Sequence, residues 1–123
     1  MSFFKNIFKS DKEIISADEQ WLEKVNKCIA ANMQNPNFNL KMLSRQLGMS
    51  ERNLQYQMKK HTEFSSKKYI NEMRLVTAEK LLQTGAYTSV SQVCFAVGFL
   101  KPAYFSKIFK KRFKKLPSEY FRK

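Results

Sequence analysis

The chain has 123 residues, enough for one domain or two very small ones, and its 43% hydrophobic and 14% aromatic content excludes a wholly disordered protein. Only three glycines and three prolines occur, and no stretch alternates for long between apolar and polar residues, so an all-helical fold is expected. The net charge of +13 favours a polyanionic partner, a phosphate backbone or an anionic membrane, over a neutral substrate.

The positive charge is unevenly distributed along the chain. Residues 1–40 hold five Lys and Arg against five Asp and Glu, residues 41–88 hold nine against four, and residues 89–123 hold nine against one. A surface that served only solubility would not need this asymmetry. Cys28 and Cys94 lack a Cys-x-x-Cys partner, so neither a zinc site nor a disulfide framework is expected. Without a signal peptide or a spanning apolar run, the chain is predicted to be cytoplasmic and not a membrane protein.

Helical spacing of apolar residues predicts about seven helices after a lead-in. Residues 1–17 are interpreted as a lead-in or linker, with a docked anchor as an equal alternative. The predicted helices start with capping residues or prolines, and glycines end several of them. Their approximate starts, in chain order, are Asp18, Asn39, Ser50, Ser66, Ser89, Pro102 and Pro117.

The chain contains an internal repeat. Five positions in a short helix and its turn recur 50 residues later, and four positions beyond the turn recur 51 residues later because the second turn has one extra residue. The matched pairs are Leu40 with Val90, Leu43 with Val93, Leu47 with Val97, Gly48 with Gly98, Met49 with Phe99, Leu54 with Phe105, Met58 with Phe109, Lys59 with Lys110 and Tyr69 with Tyr120. A short helix, a glycine turn and a second helix form a helix-turn-helix, here present twice.

Each second helix of the repeat has an apolar side and a polar, basic side. In the first copy the polar side carries Arg52, Gln55, Tyr56 and Lys59. In the second copy the outer side carries Ala103, Ser106, Lys107 and Lys110. Arg can hydrogen-bond guanine and Gln or Asn can hydrogen-bond adenine, while lysines suit phosphates, so both sides are typical of a DNA-binding surface.

From about residue 18 to its end, the chain resembles the DNA-binding domain of the AraC/XylS transcription regulators. The stretches that carry the resemblance are LSRQLGMSERNLQYQMKK at 43–60, YINEMRLVTAEKLL at 69–82 and VGFLKPAYFSKIFKKRFKKLPSEYFR at 97–122. The resemblance implies sequence-specific binding of double-stranded DNA for transcription regulation. It also implies two recognition helices, at about 51–61 and 102–113, in adjacent major-groove segments on one DNA face.

The resemblance further implies a domain organisation and a set of partners. The first helix-turn-helix subdomain is expected at 18–65, a long linker helix at 66–83 and the second subdomain at 84–123. RNA polymerase is an implied partner, and a sensory, receiver or dimerisation domain is expected in a full-length protein. No cofactor, metal site or enzymatic activity is expected, because the chain carries no phosphate-binding loop, metal motif or catalytic pair.

The site residues are carried over by position. The base-reading candidates are Arg52, Asn53, Gln55, Tyr56, Pro102, Ala103, Tyr104, Ser106 and Lys107. The phosphate-binding candidates are Lys41, Lys59, Lys101, Lys110 and Lys111. With Pro102 and Ala103 leading the second recognition helix, that unit is expected to bind the DNA backbone more than to read bases directly.

Several residues depart from the family pattern or invite a second interpretation. Glu63 and Ser66 stand where Gly and Pro are usual, and Lys114 and Leu116 replace Gly and Thr. His61 is expected to pack in the core or at its boundary, Trp21 is expected to pack the first helix onto the first unit, and both matched tyrosines are expected to be core residues. Arg74 is expected to form an intramolecular structural pair, with phosphate contact as the alternative. A basic amphipathic module for membrane surfaces or for non-specific nucleic-acid binding is the alternative function, but such a module needs no duplicated helix-turn-helix.

Overall fold

All regular structure among residues 16–121, which the computed structural model describes, is helical, and this confirms the predicted all-α class. The predicted lead-in therefore lies, up to residue 15, outside the described residues. In chain order the elements are α1 (Ala17–Asn32), α2 (Leu40–Leu47), α3 (Glu51–Thr62), α4 (Ser66–Thr84), α5 (Val90–Ala96), α6 (Pro102–Phe113) and a 3-10 helix (Pro117–Phe121).

The chain folds as two compact units. Unit 1 holds α1, α2, α3 and the part of α4 up to Met73, and unit 2 holds the segment Met33–Asn37 and the chain from Arg74 onward. The division into subdomains at 18–65 and 84–123 with a linker helix between them stays a prediction.

The core of unit 1 forms from the apolar faces of its four helices. Its fully buried side chains include Val25, Ile29, Leu43, Leu54, Met58 and Tyr69. The Tyr69 hydroxyl donates a hydrogen bond to Asn26 Oδ1 at 2.6 Å, so the polar end of this buried ring is satisfied. Burial raises the pKa of Tyr69 well above its ordinary value, which keeps the hydroxyl a donor.

The core of unit 2 is largely aromatic. Ring centroids lie 5.4 Å apart for Phe99 and Phe105, 5.6 Å for Phe105 and Phe109, and 5.7 Å for Phe109 and Tyr120. Tyr120 is half-buried, so the prediction that both matched tyrosines are core residues is wrong for this one. Its hydroxyl donates to Glu79 Oε2 at 2.7 Å, and burial together with this carboxylate raises the pKa of Tyr120 to about 12.

The internal repeat is visible in the backbone hydrogen bonds. The N–H of Met49 donates to Ser44 O at 2.9 Å, and the N–H of Phe99, 50 residues later, donates to Cys94 O at 3.0 Å. The caps match as well, since Asn39 Oδ1 and Ser89 Oγ each accept from the backbone N–H three residues on. The two copies therefore share their caps and turn geometry as well as their apolar positions.

The cap of the first helix lies two residues earlier than predicted, at Ser16 instead of Asp18. Ser16 Oγ accepts a hydrogen bond from the N–H of Glu19 at 3.2 Å, and Asp18 lies inside the first turn of α1. Serine and aspartate side chains can both cap a helix, and here the serine, which comes first in the chain, makes the capping hydrogen bond. The carboxylate of Asp18 still lies at the helix N-terminus, where the helix dipole stabilises negative charge.

Arg74 has a structural environment in unit 2, as predicted. The residue is buried, its Nη2 donates to the carbonyl of Asn35 at 2.9 Å, and its guanidinium lies 5.9 Å from the centre of the Phe99 ring. Burial lowers the pKa of Arg74. Gly98 makes room for this arrangement, because a Cβ there would collide with the carbonyl oxygen of Met33 and lie 3.0 Å from Arg74 Nε.

Candidate nucleic-acid interface

Helix α3 is held at both ends by local hydrogen bonds. Ser50 Oγ accepts from the N–H of Asn53 at 3.1 Å at the start, and the N–H of Glu63 donates to Lys59 O at 3.0 Å at the end. Leu54 and Met58 are fully buried and fix the inner side of the helix. The opposite side is therefore directed outward by the burial of these two residues.

The outer side of α3 carries the predicted base-reading residues of unit 1. The structure leaves all four exposed: Arg52, Asn53, Gln55 and Tyr56. Ser50, Arg52, Asn53 and Tyr56 line an open depression of about 310 Å³. The structure thus brings together a guanidinium, two carboxamides and an aromatic ring on one accessible face.

The C-terminal half of α3 is supported by α1. The rings of Trp21 and His61 lie 5.5 Å apart, and the His61 ring is 3.1 Å from Gln57 Oε1. These contacts confirm the predicted packing roles of the tryptophan and the histidine. They also anchor the side of α3 that faces away from its exposed residues.

Helix α6 begins without a side-chain cap. Pro102 occupies the first turn, where its missing N–H costs no hydrogen bond, and Lys101 precedes it in extended conformation. Phe105 and Phe109 are fully buried, and Lys114, at φ 63°, closes the helix. The orientation of α6 is therefore set by its aromatic inner side.

The predicted base-reading residues of unit 2 are not equally accessible. Ala103, Tyr104 and Lys107 are exposed, whereas Pro102 and Ser106 are half-buried. Tyr104 packs its ring edge against Phe99, with the centroids 6.4 Å apart. The face is thus poorer in hydrogen-bonding groups than the face of α3.

The five predicted phosphate-binding lysines are all exposed. Lys41 and Lys59 lie in unit 1, and Lys101, Lys110 and Lys111 lie in unit 2. The segment from Val97 to Ser118 contains no acidic residue, so no carboxylate within this segment offsets its positive charge.

One exposed residue at this face was missed by the sequence reasoning. Leu100 follows Phe99 in the turn before α6, and 65% of its surface is exposed. The caps of α3 and α6 are Ser50 and Lys101, so the one-residue insertion in the second turn falls at Leu100. The spacing between the two copies of the repeat changes from 50 to 51 residues in this turn, and this change is the sequence signal that could have identified Leu100.

The part of the chain that the structure describes offers neither a metal-binding cluster nor a membrane-spanning helix. Between residues 16 and 121, His, Cys, Asp and Glu form no group of three that could hold a metal ion. No helix in this range is both long and apolar enough to span a bilayer.

The chain is similar to helix-turn-helix proteins of known type. A family described as helix-turn-helix domain matches residues 43–123. The chain is 40% identical over 116 residues to histidine kinase P4 from Formosa agariphila, a match that covers 94% of the chain and 8% of the kinase. It is 31% identical over 77 residues to the HTH-type transcriptional activator RhaS from Salmonella arizonae, covering 63% of the chain and 27% of RhaS. The chain thus spans a small part of these relatives.

The fold of this chain is also that of a solved structure, which is matched over nearly its own whole length. It is a transcriptional regulator from Chromobacterium violaceum described as an AraC-type DNA-binding domain-containing protein. The TM-score is 0.76 at 27% identity, with 86% of this chain and 94% of that chain covered.

Proposed function

Because the chain belongs to the AraC-type helix-turn-helix family of DNA-binding transcription regulators, we propose that α3 and α6 each place their exposed face in the major groove of one duplex. The two grooves are adjacent segments on one side of the DNA, as the family resemblance implies. The chain acts by binding alone, without catalysis.

This proposal rests on one observation: the short helix, the turn and the second helix occur twice, and the second helix of each copy has an exposed polar or basic face. Both faces rest on fully buried apolar residues, Leu54 and Met58 in unit 1 and Phe105 and Phe109 in unit 2. Recognition helices need this combination, since base contacts depend on side chains held in fixed register.

Unit 1 supplies the hydrogen-bonded base contacts. Arg52 suits the O6 and N7 acceptors of guanine, and Asn53 and Gln55 suit the N6 donor and N7 acceptor of adenine. Tyr56 is 62% exposed, and it contributes either an apolar contact through its ring or a hydrogen bond that its hydroxyl donates to a phosphate.

The lysines bind the phosphate backbone and set the position of both helices. Lys41 and Lys59 act in unit 1, and Lys101, Lys110 and Lys111 act in unit 2. Contacts of this kind orient a protein on the duplex without carrying sequence information directly.

A binding competition tests the function as a whole. A duplex selected from a random library should stay bound in excess random duplex, because base contacts add to the backbone contacts that every sequence shares. Anionic vesicles should compete poorly. Equal affinity for selected duplex, random duplex and vesicles would instead support a basic amphipathic module.

The substitution Arg52→Ala tests the base assignment in unit 1. It should cost about 1–3 kcal/mol of binding free energy on the selected duplex and relax the preference at one base pair, because a bidentate pair with guanine is lost. Lys59→Ala is the matched control on the same helix. It should weaken binding evenly across sequences, and the same even loss for Arg52→Ala would reassign that residue to phosphate.

We further propose that the chain is the DNA-binding output of a larger bacterial regulator and acts in the cytoplasm. Its 40% identity to 8% of a histidine kinase supports a two-component sensor as the larger protein. A sensory, receiver or dimerisation domain would then control DNA binding, and RNA polymerase would be the downstream partner. Immunoblotting the encoding organism with antibody to this chain should detect a polypeptide far longer than 123 residues.

A further inference from the structure

Apolar side chains are exposed at the N-terminal end of α6, the end that a helix-turn-helix directs to base edges. Leu100 is 65% exposed and Tyr104 is 51% exposed, with Ala103 exposed and Pro102 half-buried in the same turn. These four residues are called the apolar patch below. Two large exposed apolar side chains within five residues give this end of α6 an apolar surface that a partner can cover.

The turn geometry explains why the apolar patch exists in unit 2. Leu100 is the inserted residue of the second turn, so it has no counterpart in unit 1 and adds a side chain outside the core. Tyr104 packs edge-on against Phe99, which in turn packs against Phe105 with centroids 5.4 Å apart. Because the Tyr104 ring is already held by its contact with Phe99, it loses little conformational entropy when a ligand covers it.

The charge around the apolar patch determines the kind of partner. Lys101, Lys107, Lys110 and Lys111 are exposed nearby in sequence, and no acidic residue occurs between Val97 and Ser118. A polyanion that also presents apolar groups fits this surface. In the major groove of DNA, the apolar group on a base edge is the C5 methyl of thymine.

We infer that unit 2 reads thymine methyl groups through the apolar patch, whereas unit 1 reads bases by hydrogen bonds. The inference rests on the proposed function of α6 as a recognition helix. It replaces the expectation that unit 2 mainly binds the backbone, and it assigns a specificity role to Leu100.

The experiment removes one methyl group at a time. The full chain is first used to select a preferred duplex, and each thymine of that duplex is then replaced by deoxyuridine, which retains every hydrogen-bonding group. At one or more thymines the loss should be about fourfold in affinity, the ratio that corresponds to ~0.8 kcal/mol for a buried methyl-sized group.

Protein variants then show which residue covers the methyl group. In Leu100→Ala or Tyr104→Ala the ratio between thymine and deoxyuridine duplexes should fall towards one at those positions. Tyr104→Phe should keep the ratio, since the ring and not the hydroxyl makes the contact. Phe95→Ala is the matched control, because Phe95 is 52% exposed on α5 of the same unit and lies outside the apolar patch.

The outcomes separate this inference from the proposed function. Sequence-specific binding in which no thymine methyl is coupled to Leu100 or Tyr104 would overturn the inference and leave the proposed function standing. If both alanine variants bind every duplex as the unchanged chain does, the patch serves another partner and the inference is wrong. A chain that selects no sequence at all overturns both.

Discussion

Gly98 and Gly48 occupy equivalent turns of the repeat but meet different surroundings. Both have positive φ, 93° and 68°, a region that side chains with a Cβ rarely adopt. A Cβ on Gly48 would have no atom within 4 Å, whereas one on Gly98 would collide with the Met33 carbonyl. Gly48 is therefore required only by its backbone conformation. Gly98 is required by its backbone conformation and also by the lack of space for a Cβ.

Alanine substitutions at these two glycines give a prediction about stability in which Gly48 is the control for Gly98. Gly98→Ala should lower the free energy of unfolding by about 3 kcal/mol or more, because backbone strain and a collision with backbone combine. Gly48→Ala should cost about 1 kcal/mol, since strain alone acts there. Urea unfolding followed by circular dichroism measures both. Equal losses would show that the close approach of Met33 to Gly98 does not constrain the protein.

Helices α3 and α6 both end on residues that are not suited to their backbone conformation. Glu63 has φ 65° and Lys114 has φ 63°, and each closes its helix by donating its N–H to the carbonyl four residues earlier. Glycine is the usual residue at such a position because it has no Cβ to strain. These are two of the positions at which the family resemblance implies glycine.

Replacing either residue with glycine should therefore stabilise the fold. Glu63→Gly and Lys114→Gly should each raise the free energy of unfolding by about 0.5–1 kcal/mol, because the relief of strain exceeds the added entropy of the unfolded chain. The alanine variants at the same positions keep the strain and should show no such gain. A loss of stability in both glycine variants would contradict the strain argument.

The elements were largely predictable from local sequence signals. Asn39, Ser50 and Ser89 were recognised as caps because a side chain that accepts from a nearby N–H acts within one turn. The cap at Ser16 was missed, since two capping residues compete within three positions. The left-handed closures at Glu63 and Lys114 carry no glycine, so local sequence signals do not indicate them, and the only pointer to them is the glycine that the family resemblance implies at both positions.

The candidate site was predictable in its exposed face but not in its apolar part. Helical periodicity places Arg52 and Gln55 on one side because Leu54 and Met58 must be buried on the other. Leu100 lies in a turn, where no periodicity applies, and an isolated leucine is more often a core residue. The half-buried state of Tyr120 also depends on tertiary packing, which sequence spacing does not encode.

At the scale of the whole molecule, the charge asymmetry predicts strong salt dependence of DNA binding. If each of the five predicted phosphate-binding lysines neutralises one phosphate, the slope of log K against log salt should be about −4.5. Lys111→Ala should make the slope less steep by about 0.9. Titrations at several salt concentrations measure it, and a slope near −1 would refute the backbone assignment.

The packing of Trp21 against His61 has a consequence for how the folding of the two units can be followed. Trp21 is the single tryptophan of the chain, and it lies in unit 1. Indole fluorescence therefore reports the unfolding of unit 1, whereas circular dichroism sums the helices of both units. Coincident transitions by the two methods would show that the units unfold cooperatively, and separated transitions would resolve the stability of each.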